Sequence, residues 1–257
     1  MTNSLKPLDL GRKVFTEEEL IKQLEGYVPN PEPDKSLKIQ GRYILMPRTS
    51  TYALGVHALQ EACTPDDPQH NGVYRPLTFK ENLQARVEDY ESHQGEERVR
   101  LFNIWLDSCT GIAYKAGTNK FKIIPVCEQL ITIDKEFNSA SLSLDYDSLQ
   151  GTELDKSKGK YKKLLTQQEI LEHPGWLAAV EGDKSLLQAY ADIVFAEKKA
   201  EKVMGFYPLD SWNKDQVRVL FVGDIYDDSN ASGYYLNDVG SFLRVAPSQN
   251  FLGEEND

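Results

Sequence analysis

The sequence predicts an α+β fold: a mostly antiparallel sheet with helices packed on one face, ending in a C-terminal three-strand meander. Apolar residues recur at helical spacing in two blocks, Thr51–Leu106 and Thr166–Lys202. Extended runs occur near Leu37, across Ile112–Ile133 and beyond Val203. Strands and helices do not alternate regularly, which argues against a doubly wound parallel sheet. The chain has 257 residues, 40% hydrophobic and 27% charged. That is enough to bury roughly 70–75% of its unfolded surface without a disulfide or metal staple.

Thr16 and Glu19 stand at capping-box spacing before Leu20, Ile21 and Leu24, and Gly26 stops that short helix. Tyr27–Ser36 carries Pro29, Pro31 and Pro33 and reads as an extended connector. Residues 1–36 are thus expected to be an appendage, 37–246 a globular domain and 247–257 a frayed tail. Leu37–Met46 reads as one strand. Tyr52, Val56, Leu59 and Cys63 form a helical face, and the Pro- and Asp-rich Thr64–Gly72 forms a loop. Thr78 and Glu81 make a second capping box, followed by the stripe Phe79, Leu83, Val87, Tyr90, with Glu81, Arg86, Glu88 and Asp89 directed outward. Val99, Phe102, Leu106 and Cys109 suggest another helix ending at Gly111.

Ile112–Lys115 and Phe121–Val126 flank Ala116-Gly117-Thr118-Asn119 as a hairpin, and Leu130–Ile133 extends the sheet. Periodicity weakens over 134–159, where an internal boundary or a long loop fits best. Thr166 and Glu169 form a third capping box, His173-Pro174-Gly175 breaks that helix, and Asp183 caps a longer one bearing Leu187, Tyr190, Val194 and Phe195. Val203–Leu209, Val217–Gly223 and Ser241–Ala246 are the three strands of the expected meander.

Forty acids against 29 Lys and Arg give a net charge of −11, which disfavours nucleic acid as a partner. The exception is the lysine island Lys156–Lys163, a local anion or nucleic-acid contact in an alternative reading. Three widely spaced cysteines without a C-x-x-C pair suit a reducing compartment. With no apolar leader and no run near the ~20 residues of a membrane span, a soluble, cytoplasmic protein without membrane contact is expected.

Chemistry concentrates in the segment Asp224–Phe242, which holds four acids and no Lys or Arg. Asp228, Asn230 and Ser232 alternate before Gly233, like the opening of a calcium loop, with Asp238 or Asp224 as further oxygen donors. Val239 occupies the place of the bidentate Glu, so a Ca²⁺ site here would not be an EF-hand, and no other cofactor is expected. Tyr226, Tyr234 and Tyr235 beside Asp224 offer ring faces and hydrogen-bonding groups to a small polar ligand or a protein. His70 between Asp66, Asp67 and Gly72 is a lesser metal candidate. Cys109 beside Gly111 is a nucleophile only if one of His57, His70, His93 or His173 reaches it. Its place on an apolar stripe, like that of Cys63, points to the core. Nucleotide-loop, nucleophile-elbow and zinc-protease signatures are absent from the sequence. The reading is therefore a non-enzymatic binding or accessory protein using residues 224–242. A hydrolase-like site assembled from distant residues is the other alternative.

Overall fold

In a computed structural model the structure describes residues 37–39, 43–46, 49–62, 75–238 and 241–245. The expected Thr16–Leu24 helix, the proline connector, Cys63, the Asp66–His70 loop, Val239 and the tail lie outside them. The fold is α+β. Its larger sheet follows the order β6 (Thr152–Asp155), β4 (Lys120–Ile124), β3 (Gly111–Tyr114), β8 (Gln216–Val222), β9 (Ala231–Tyr234), β7 (Phe206–Tyr207), with β5 (Leu142–Ser143) also pairing β8. A smaller sheet joins β1 (Leu37–Ile39), β2 (Tyr43–Leu45) and β10 (Leu243–Val245). All pairings are antiparallel except β7 with β9.

The expected hairpin forms as β3 and β4, with Gly111 opposite Ile124 and Tyr114 opposite Phe121; Gly117 takes φ +66° in its turn. Helix α1 (Tyr52–Ala62) carries the Tyr52, Val56, Leu59 face, and α2 (Phe79–Ser92) carries the next stripe. The Thr78 hydroxyl accepts the Glu81 amide, and the Glu81 carboxylate accepts the Thr78 amide in return. Thr166 and Glu169 repeat this arrangement at α4 (Gln167–Glu172). His173 caps the short α5 (Pro174–Ala179), and Asp183 caps α6 (Lys184–Lys198).

Helices cover both faces of the sheet, not one. Ile112, Tyr114, Leu220 and Val222 meet Phe79 and Leu83 of α2, Trp176 of α5 and Tyr190 of α6. Ala113, Val217 and Val219, of opposite parity, meet Tyr52, Val56 and Leu59 of α1. All seven residues of β8 are buried. The near-continuous run Val217, Val219–Val222 is the mark of a strand covered on both sides.

Five other expectations change. Leu37–Met46 contains two paired strands rather than one, with Leu37 opposite Leu45. Val99–Cys109 is no α-helix: two 3-10 turns (Gly95–Val99, Leu101–Asn103) precede an extended stretch in which Leu106 bonds Val222. Its apolar residues Phe102, Leu106 and Cys109 are nevertheless buried. Glu128–Ile131 is a helical turn, α3, and not a strand. The meander fails because Ala231–Tyr234 forms β9, the partner of β8, while Leu243–Val245 leaves for β2. Phe242 then enters the α1 side of the core, 5.2 Å from the Tyr52 ring, where a Cβ at Gly55 would lie 2.1 Å from the phenyl ring. Finally, Arg86 and Asp89 of α2 point inward. Arg86 donates to the Tyr190 hydroxyl (2.6 Å) and to the carbonyls of Gly223 (2.9 Å), Ile104 (2.5 Å) and Val222 (3.4 Å). Asp89 accepts Arg100 at 2.8 Å. Paired in this way, the Arg86 Nη groups and the Asp89 carboxylate can be buried, while Arg86 Nε has no partner.

Candidate binding surface

The segment read as one long loop is a hairpin turn, a strand and an exit. In the turn, the Asp224 carboxylate accepts the Asp227 amide (2.7 Å), the Asp224 carbonyl accepts that of Ser229 (2.8 Å), and Ile225 donates to the Phe102 carbonyl (2.6 Å). Asp228 and Ser229 take φ +56° and +52°, a left-handed conformation that costs a non-glycine residue about 1–2 kcal/mol. The turn presents Tyr226 at 78% exposure.

Strand β9 then separates Tyr226 from the other two tyrosines. Four residues at roughly 3.3 Å each hold them on the order of 10–15 Å apart, so the three rings do not form one pocket. Tyr234 is half-buried against Trp105 (6.1 Å) and Phe221 (5.0 Å), and its hydroxyl donates to Asp238 at 2.7 Å. Tyr235 is 46% exposed, 5.7 Å from Tyr234, with the Arg218 guanidinium 4.3 Å from its ring centroid. Trp105 and Arg218 were missed in the sequence. Arg218 left one signal, a charge in the middle of an apolar strand.

The oxygens of the calcium candidate serve the protein itself. Asp228 pairs with Lys198 of α6 at 2.8 Å, so the segment does have a cation beside it. Asn230 Oδ1 accepts the Gly205 amide (2.7 Å), and the Ser232 hydroxyl donates to the Tyr207 carbonyl (3.2 Å). These two side chains fasten β7 to β9. With Asp238 taken by Tyr234 and Asp224 by its turn, the five oxygen donors are spread over four separate tasks. Among the described residues no group of three His, Cys, Asp or Glu is placed to hold a metal ion.

The hydrolase alternative finds its parts apart. Cys109 is fully buried, with Arg75 as its polar neighbour at 3.6 Å, and burial pushes its thiol up to about 12 despite that guanidinium. His57 bonds the Ile133 carbonyl at 2.8 Å. Ser92 (3.1 Å) and Asp89 (3.4 Å) both address Nδ1 of His93, whereas a catalytic relay needs them on opposite ring nitrogens. The lysine island is dispersed as well: Lys156 holds the Leu209 and Asp210 carbonyls, Lys160 pairs with Glu169, and Lys162 pairs with Asp210. Lys158, 4.0 Å from Asp155, stands with Lys160, Glu169, Glu172 and His173 around an open cleft of about 470 Å³. Among the described residues no helix is long and apolar enough to cross a membrane.

No family model and no curated protein matches the chain. A solved structure from Nanoarchaeota, reported as accommodating massive sequence variation in the C-type lectin fold, aligns with a TM-score of 0.55 and 16% identity. The alignment covers 83% of this chain and 100% of that one. At that identity the likeness speaks for architecture alone: this α+β chain is similar in fold to that C-type lectin structure.

Proposed function

We propose that the chain is a ligand-binding protein and that its recognition surface lies on β9 and the ends of β8, with Tyr235, Tyr226 and Tyr234 as contact residues and Asp224 shaping the turn. The observation that carries this is the exposure of apolar side chains. Among the described residues the large hydrophobic side chains that stand exposed are Val126, Tyr226 and Tyr235, and two of the three bracket β9. Tyrosine supplies rigid contact area with a polar tip, at low entropic cost, in binding surfaces. The Nanoarchaeota protein is described as one whose fold tolerates massive sequence variation. A fold that accommodates such variation suits recognition, and here all seven residues of the neighbouring β8 are buried. The ligand is a small polar molecule or a protein segment.

The test is an array of glycans and peptides probed with the wild type, Tyr235→Ala and Tyr226→Ala. Retained ligands should lose about tenfold or more in affinity on Tyr235→Ala, as hot-spot aromatic residues do. Ligands whose binding both variants leave untouched would overturn the assignment.

A further inference from the structure

We infer that the ligand of this surface carries an oxyanion, a carboxylate or a sulfate group, and that Arg218 receives it. The inference rests on the reading of the β9 surface as the ligand site and adds the chemistry of what it takes. Arg218 is only 8% exposed, in the centre of the larger sheet. Its Nε is sealed from solvent and has no hydrogen-bond partner. Nη1 and Nη2 are not sealed, and no described residue accepts from them.

Other arginines differ at the Nη groups. Arg86 Nε is likewise sealed and unpartnered, but its Nη groups donate to a tyrosine hydroxyl and three carbonyls, while Arg100 donates to Asp89 and Arg75 to Glu81. Arg218 has the Tyr235 ring instead, 4.3 Å away. A ring face compensates a desolvated cation only in part, and a buried charge without a counter-charge is costly. In a chain of net charge −11, this cation is still left without an acid among the described residues.

A bound oxyanion completes the arrangement. It would meet the two Nη groups end-on through two parallel N–H···O bonds, since Nε is closed off. Its carrier would lie along the open part of the Tyr235 ring. The local cation overrides the general repulsion of anions by the rest of the molecule, so binding should weaken with salt but persist.

The experiment is an NMR titration of the whole chain with glucuronate, with sulfate, and with glucose as a neutral sugar, on the wild type, Arg218→Lys, Arg218→Gln and Tyr235→Ala. Glucuronate or sulfate should shift the Arg218 Nε–H and Tyr235 ring signals to saturation, and glucose should not. The two active anions separate a sugar carboxylate from a bare oxyanion. Arg218→Gln should weaken binding by about tenfold or more, with Arg218→Lys in between, because it keeps charge but not the planar fork. Melting of the unliganded Arg218→Gln protein, at or above the wild-type Tm, shows that the loss is not one of folding. Absence of saturable shifts with either anion overturns the inference, and so does equal binding by wild type and Arg218→Gln. A neutral ligand lost on Tyr235→Ala but kept on Arg218→Gln removes the oxyanion and leaves the binding surface standing. If Tyr235→Ala, together with Tyr226→Ala, affects no ligand, the binding surface itself falls.

Discussion

His173 accepts the amides of Gly175 (3.2 Å) and Trp176 (3.4 Å) on Nδ1, so its proton sits on Nε2. The rings of Tyr161 and Phe206 enclose it, and burial holds its pKa down at about 4, against an ordinary value of 6.5. The unfolded chain therefore takes a proton first as pH falls. The stability this residue contributes is complete above pH 6.5 and drains away between about 6.5 and 4, by as much as ~3 kcal/mol. His173→Asn keeps a capping acceptor that does not titrate, and denaturant melts across that window should lose much of their slope; an unchanged slope refutes the assignment. Asp228 gives a second test at this scale. With its carboxylate on Lys198, millimolar Ca²⁺ and excess chelator should give the same Tm. A site that filled would raise stability by about 2.7 kcal/mol at a hundredfold excess over Kd.

Helix α2 is where local sequence and tertiary packing agree. Its capping box is the one the Thr78/Glu81 spacing announces, and Phe79 and Leu83 are wholly buried. Leu83→Ala should cost about 2–5 kcal/mol and Thr78→Ala about 1 kcal/mol by urea melts. Losses under half a kcal/mol would mean that this helix is peripheral. Elements whose bonds are local were legible in the same way: two capping boxes, the β3–β4 hairpin and the α6 cap. Elements defined by distant partners were not. Ala231-Ser232-Gly233-Tyr234 has the composition of a turn, and becomes a strand because β8 and β7 offer it ladders on both sides. Phe102, Leu106 and Cys109 recur at helical spacing yet sit in irregular backbone, since periodicity records which side chains are buried before it records conformation. The site was half legible. The tyrosines stood out by type, whereas Arg218 and Trp105 gain meaning only from what packs on them.

Across the whole molecule, β8 is the longest of the strands that both halves of the core share. It pairs with β3, about a hundred residues earlier, and its two faces belong to different hydrophobic clusters. No local pattern specifies such a partner, which is why the order of the sheet could not be read in advance. Pairings this distant must meet the loop-closure cost before they return any stability, so folding limited by the β3–β8 contact is expected to be slow. The same burial on both faces gives the candidate surface a rigid support, as Tyr226 follows β8 in its turn and Tyr235 packs on Arg218 within it.

The small sheet has a mechanical consequence. Leu37 lies beside Leu45, which lies beside Leu243, while Val245 lies beside Tyr43 at the other end. Tension applied at Leu37 and Val245 therefore drags β1 and β10 lengthwise past β2 and loads the rungs together, where an unzipping geometry would break them one after another. The three short strands form a shear clamp for whatever is tethered beyond them. Single-molecule pulling from those two positions should show one high-force rupture, and Ile44→Pro, which removes a backbone N–H from the middle strand, should lower that force. An unchanged rupture force would place the mechanical resistance elsewhere in the fold.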